Sequence, residues 1–189
     1  MKAVRKIASL IPAFTLWLML GVLLWGSVFI RITDAPAEQK ITLYADAKVT
    51  DGTALAVALE KEQCPGIRLV QARPFTYAMF DGDALRKADL YVVPERDVET
   101  YREWFSPLPG ECVSLGPCLF LDGTPFGVLV YRGETERGAA AQWIQYHEPG
   151  AEKEDYYIFL GASSLHLDGN EDAVDNAAVQ YLKRFLTVE

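Results

Sequence analysis

Serine and histidine lie three residues apart in Gly161-Ala162-Ser163-Ser164-Leu165-His166. That spacing invites a hydrolase reading, in which an imidazole activates a hydroxyl nucleophile. The nucleophile elbow needs Gly-x-Ser-x-Gly, however, and its fifth position here is Leu165. Triad members also converge from separate segments, whereas these share one short loop. The stretch therefore reads as a polar loop that either exposes Ser164 and His166 for recognition or hydrogen-bonds internally ahead of the last helix. An envelope serine hydrolase using Ser163 or Ser164 with His166 is the remaining alternative.

A second cluster is Arg73-Pro74-Phe75-Thr76-Tyr77-Ala78-Met79-Phe80-Asp81. It follows an expected parallel strand, and parallel sheets bind ligands at the carboxyl ends of their strands. Arg73, Phe75 and Tyr77 are candidates to line a site there with Ser164. The plainer reading makes Phe75, Tyr77 and Phe80 a plug for the end of the core. Asp168-Gly169-Asn170-Glu171-Asp172 starts like a calcium loop, but positions six and twelve are Ala173 and Val179 instead of Gly and Glu. Asn170 or Asp172 as a helix N-cap accounts for that segment. His147 stands alone, so the two histidines form no metal cluster. Gly133 to Gly138 lacks the Lys-Ser/Thr that completes a phosphate loop. No cofactor is expected. Cys112 and Cys118, with Gly116-Pro117 between them, can form a disulfide across a turn outside the cytoplasm or remain as free thiols. There is no Cys-x-x-Cys to support redox catalysis or a zinc knuckle.

These residues must be positioned by a recognisable set of elements. Lys40–Ala45 alternates as a strand. Asp51 can cap a helix from Thr53 to Gln63 that Pro65-Gly66 ends. Gly66–Ala72 and Asp89–Val93 read as further strands, with a short helix capped by Asp83 between them. This βαβαβ spacing predicts a parallel core. A helix is expected from Val98 to Phe105. Asp122-Gly123 signals a hairpin joining Leu119–Leu121 to Phe126–Tyr131. Trp143–Tyr146 and Tyr156–Leu160 look like another strand pair. Val174, Ala177, Ala178, Tyr181, Leu182, Phe185 and Leu186 recur at helical spacing in a last helix. The fold class is thus α/β, a mixed sheet with a parallel βαβ core, hairpin additions and a C-terminal helix.

Ile7 to Ile30 is 24 residues without a charge. At about 1.5 Å per residue this covers the roughly 30 Å of bilayer hydrocarbon. Lys2, Arg5 and Lys6 precede it and should stay cytoplasmic. The expected organisation is a basic end and transmembrane anchor over residues 1–31, a linker over 32–39, and an extracytoplasmic domain over 40–189. The rival is a cleaved signal peptide, whose apolar core is normally about 7–15 residues. Taking Lys2, Arg5, Lys6 and Arg31 from the 18 basic residues leaves 14 against 26 acidic ones, a formal charge of −12. Such a domain excludes electrostatic nucleic-acid binding.

The pieces ITLYAD, GIRLV, ADLYVVP, WFSPLP and DGTPFGVLVY, in that order over Lys40 to Tyr131, resemble type 2 periplasmic solute-binding proteins of ABC importers. The resemblance implies a non-enzymatic binding or interaction module. Its partner would be a membrane transporter or another envelope protein, or a small solute if the domain acts as a sensor. Members of that family usually have two lobes and about twice this length. The resemblance therefore implies a reduced, one-lobed relative, anchored by a helix and lacking a second wall to close over a ligand.

Overall fold

In a computed structural model of the chain, the described residues are 12, 14–26, 35–61, 64–76, 82–148, 150–167 and 176–188. The chain divides into two compact units, residues 1–35 and 36–189. In the first, residues 14–26 form helix α1. Its apolar side chains are exposed on every side, Phe14, Trp17, Leu20, Leu24 and Trp25 among them. Among the described residues, no helix is long and apolar enough to cross a membrane. The remainder of the expected span, within Ile7 to Ile30, lies outside the described residues.

The second unit is mixed α/β. Strands β1 (Lys40–Ala45), β3 (Leu69–Pro74) and β4 (Leu90–Pro94) are the parallel core, with β1 in the middle. The sheet runs β3-β1-β4-β10-β7-β6, where β6 is Cys118–Leu121, β7 is Thr124–Arg132 and β10 is Tyr156–Gly161. Short β5 (Phe105–Ser106) pairs with β10, and β8 (Arg137–Gly138) pairs with β7. Apart from this sheet, β2 (Lys48–Val49) pairs with β9 (Ile144–Gln145).

Alternation along the strands sends side chains to two cores. Ile41, Leu43, Leu90, Val92, Ile158 and Leu160 face one side, where they meet α2 (Gly52–Leu59) and α6 (Ala177–Thr187). Tyr44, Tyr91, Val93 and Phe159 face the other. There they meet Leu85 of α3 (Gly82–Arg86), Val98 and Tyr101 of α4 (Val98–Tyr101), Trp104 and Phe105. The β1-to-β3 crossover thus lies on one face and the β3-to-β4 crossover on the other. The crevice at which the order reverses falls between β1 and β4.

Several local expectations hold for stated reasons. The Asp51 carboxylate accepts the Ala54 amide at 2.9 Å and caps α2. Asp122 and Gly123 take φ of 49° and 80°, the conformation that a tight β6–β7 hairpin demands. The strand expected over Gly66–Ala72 is shifted: β3 begins at Leu69 and takes in Pro74, which is tolerated because β3 is an edge strand and loses no partner for the missing N–H.

Others are corrected. Tyr156–Leu160 does not pair with Trp143–Tyr146. It is the core of β10, buried on both faces, and runs antiparallel between β4 and β7. The helix expected over Val98 to Phe105 ends at Tyr101, passes through a 3-10 turn at Arg102–Trp104, and gives Phe105 to β5. Phe105 is better used there, stacked 4.1 Å from Phe159 in the buried core. The last helix opens at Ala177 behind Asn176, whose φ is 53° and whose side chain makes no capping bond. Asn170 and Asp172 lie outside the described residues.

Gly161 closes β10 where a side chain has no room. A Cβ there would collide with the Ala88 carbonyl oxygen, which is backbone and cannot swing away. Gly161→Ala should therefore destabilise the domain by about 3 kcal/mol, the upper part of the overpacking range. Urea unfolding would read this as a lower midpoint at unchanged slope. An unshifted midpoint would mean that the β4–β10 contact is looser than described.

Candidate functional site

β10 is antiparallel to β4, with Leu160 opposite Leu90 and Tyr156 opposite Pro94. The loop after β10 therefore returns to the amino edge of the parallel strands, far from their carboxyl ends. This separates the expected site residues into two groups. Arg73 and Phe75 lie at the carboxyl edge of β3. Ser164 and His166 lie at the opposite edge, some 15–20 Å away by strand rise. They cannot line one site together. Tyr77 lies outside the described residues.

At the amino edge, Ser164 and His166 are 6 % and 2 % exposed, so neither is presented for recognition. Both turn onto Asp89, which is 3 % exposed and immediately precedes β4. The Ser164 hydroxyl donates to Asp89 Oδ1 at 2.6 Å, and His166 Nδ1 meets the same oxygen at 2.8 Å. The Thr42 amide donates to Oδ2 at 2.7 Å. His166 Nε2 faces the Glu38 carbonyl oxygen at 3.1 Å. In a hydrolytic triad the histidine stands between carboxylate and hydroxyl. Here the carboxylate stands between the other two, and the far ring nitrogen is occupied by backbone. The Ser164–His166 pair has no geometry for nucleophile activation.

The carboxyl edge is different. Asp46 follows β1, Glu95-Arg96-Asp97 forms a 3-10 turn after β4, Arg132 ends β7, and Glu154-Asp155 precedes β10. Arg96 sits centrally, paired with Asp97 at 3.2 Å and with Glu154. Burial raises the Asp46 carboxyl above its ordinary range, repulsion from Asp97 raises it further, and Arg96 offsets this only in part. Burial also raises Tyr101, with Asp46 and Asp97 adding to it. Burial pushes the Tyr156 phenol up to about 12. Phe75 seals the floor, meeting Tyr44, Tyr91 and Tyr101 edge-on at 6.5, 6.3 and 5.3 Å.

Beside this cluster opens a cleft of about 580 Å³ lined by Glu95, Arg96, Arg132, Glu134, Glu152 and Glu154, among others. Arg132, Glu95, Glu134 and Glu152 make no salt bridge among the described residues. A concave surface with unpaired charges of both signs can hold a polar, charged occupant by electrostatic complementarity. Among the described residues, no group of three or more His, Cys, Asp or Glu is placed to hold a metal. Cys112 and Cys118 are free thiols here. Cys112 is buried in α5 (Gly110–Val113), and Cys118 Sγ points to the Gly116 carbonyl at 3.5 Å.

No protein-family model, no curated protein and no solved structure matches this chain. The site is therefore argued on its own geometry. Sequence reasoning applied the strand-end rule only after β3 and missed Asp46, Arg96 and Asp97. Each could have been found by applying the same rule after ITLYA and after YVVP.

The raised Asp46 pKa carries a sign. A carboxyl whose folded pKa exceeds its unfolded one contributes stability below the unfolded value, about 3.8, and loses it as pH rises through the folded value. At pH 7 the ionised Asp46 therefore works against the fold. Asp46→Asn should raise the melting temperature at about pH 7, and the gain should shrink as the pH approaches the unfolded value. A lower melting temperature for the variant at neutral pH would show that attraction to Arg96 dominates.

Proposed function

We propose that this chain is a membrane-tethered, extracytoplasmic, non-enzymatic binding module resembling the solute-binding proteins of ABC importers. The observation that carries this reading is the carboxyl edge. The strand order reverses between β1 and β4, the place where open α/β sheets take ligands. That edge holds Asp46 at an electrostatic disadvantage, and next to the reversal point, over the ends of β4, β10 and β7, it carries the charged cleft. Perturbed titratable groups cluster at functional sites, and Asp46 beside the cleft is consistent with that pattern. The use of both Ser164 and His166 on Asp89 supports a binding role over the serine-hydrolase alternative.

The tether rests on α1 and its flanks. A helix that is apolar all round and exposed all round suits lipid better than water. Lys2, Arg5 and Lys6 ahead of it favour retention of the amino terminus in the cytoplasm. A tether raises the effective concentration for a membrane partner such as a transporter or another envelope protein. A solute sensor is the second reading. The cleft volume falls within the roughly 300–1,000 Å³ of small-molecule sites, but its lining is charged instead of apolar. A sensor of this design takes a polar solute.

Two measurements separate these elements. Alkaline carbonate washing should leave the full-length chain in the membrane pellet, and its release would remove the anchor from the proposal. The full-length chain in detergent should also show a thermal shift with a solute or a purified membrane partner. An occupant at 100 times its dissociation constant stabilises by about 2.7 kcal/mol, or several degrees. Arg132→Glu should abolish that shift while Ser164→Ala leaves it. The opposite pattern would place binding at the amino edge and defeat the cleft assignment.

A further inference from the structure

The two ring nitrogens of His166 each face an atom that can only accept. At Nε2 the partner is the Glu38 carbonyl oxygen, 3.1 Å away, which has no proton to give. At Nδ1 the partner is Asp89 Oδ1, 2.8 Å away, which already accepts from Ser164, while Oδ2 accepts from the Thr42 amide. The proton on the Nδ1 contact therefore belongs to the ring. Both contacts are made together only when both nitrogens carry hydrogen, that is, when the ring is the imidazolium cation.

Glu38 belongs to the 3-10 turn Ala37–Gln39, which leads from residue 35 into β1. Gln39 is held separately, its carbonyl accepting the Arg68 amide at 2.8 Å. Among the described residues, Pro36, Ala37 and Glu38 have no such second tie in their backbone bonds outside the turn. The His166 contact is what fastens them to the sheet edge. We propose that His166 is a buried imidazolium latch that holds residues 36–38 against the domain, and that its deprotonation releases them.

The order of events follows from the partners. Loss of the Nδ1 proton would set a ring lone pair against a carboxylate. Loss of the Nε2 proton sets it against a neutral carbonyl, so Nε2 gives up its proton and the Glu38 side opens. Among the described residues, the charged groups acting on the ring are Asp89, ahead of β4, and Glu38 in the turn. From α6, the Ala178 amide donates to the His166 carbonyl. Burial alone would lower the His166 pKa, but the two acidic residues and their hydrogen bonds outweigh it and raise it above 6.5. The latch is thus closed below the ordinary histidine pKa and is lost as pH rises through the raised one. Opening would add three residues, about 10 Å, to whatever chain precedes the domain. The inference does not depend on the binding reading.

The chain has two histidines, so ring nitrogen NMR of the full-length protein in detergent resolves both, with His147→Gln assigning them. Spectra taken between about pH 6 and 9 should show both His166 nitrogens protonated at the acid end and a single step above the ordinary pKa. In the same step the Gln39 amide, bonded to Pro36 O at 2.9 Å, should lose about tenfold in exchange protection after correction for base catalysis. Asp89→Asn should move the step to lower pH. A ring that is already neutral at about pH 6 overturns the proposal, as does a titration that leaves Gln39 protection unchanged. Either result is read on the wild-type chain, so it stands even if the variant fails to fold.

Discussion

The buried carboxylate of Asp89 is the contact on which the sheet depends. Its two oxygens gather the Thr42 amide of β1, the Ser164 hydroxyl and the His166 ring. Its own backbone adds the Thr42 carbonyl on one side and the Gly161 amide on the other. One residue therefore registers β1, β4, β10 and the loop that leads to α6. A buried charge is tolerated only when paired and fully hydrogen-bonded, and the donors here come from β1 and from the loop after β10. Removing one partner of such a pair typically costs about 3–5 kcal/mol, far more than an exposed ion pair is worth.

The two edges of the sheet are built on opposite terms. At the amino edge, the polar atoms of Asp89, Ser164 and His166 have partners and almost no solvent contact. At the carboxyl edge, Asp46 and Asp97 repel one another, and Arg96 is shared between Asp97 and Glu154. A fold selected for stability alone has no need of that second arrangement, because a neutral residue at position 46 would relieve it. The contrast between the edges, more than any single residue, separates the fully satisfied cluster from the electrostatically frustrated one. Ser164 and His166, the pair that most resembles chemistry in the sequence, belong to the satisfied one.

Much of the parallel core was legible because its signals are local. ITLYA alternates, Asp51 caps α2, and Asp122-Gly123 makes a tight turn, although α2 ends at Leu59, short of the Gln63 end and the Pro65-Gly66 stop expected for it. The partners of β10 were not legible. YYIFLG is apolar on both faces, and such a run states that a strand is central without stating between which neighbours. The nearest apolar run in sequence, Trp143–Tyr146, was the wrong partner because β10 crosses back to lie between β4 and β7. The site failed for a related reason. Proximity in sequence made Ser163, Ser164 and His166 look like a unit, while the residue that organises Ser164 and His166 is Asp89, 75 and 77 positions away. An aspartate just ahead of LYVV is itself a clue, since so apolar a strand buries whatever precedes it.

Within the binding reading, a site built from the one compact unit of residues 36–189 is constrained in what it can hold. In a two-walled site a ligand gives up its water on both faces, and the lost hydration is repaid by contacts on both. One wall leaves the outer face of a small solute hydrated, so the apolar gain of roughly 25 cal/mol per Å² accrues on one side only. The ordering cost of association is unchanged. The charged lining of the cleft makes this harder, because Arg132 and the acids around it must shed water for each contact they form. A partner that brings its own second wall escapes the difficulty, since it desolvates the whole cleft at once and supplies counter-charges across it. Within the binding reading, the geometry therefore favours a protein over a free solute as the occupant.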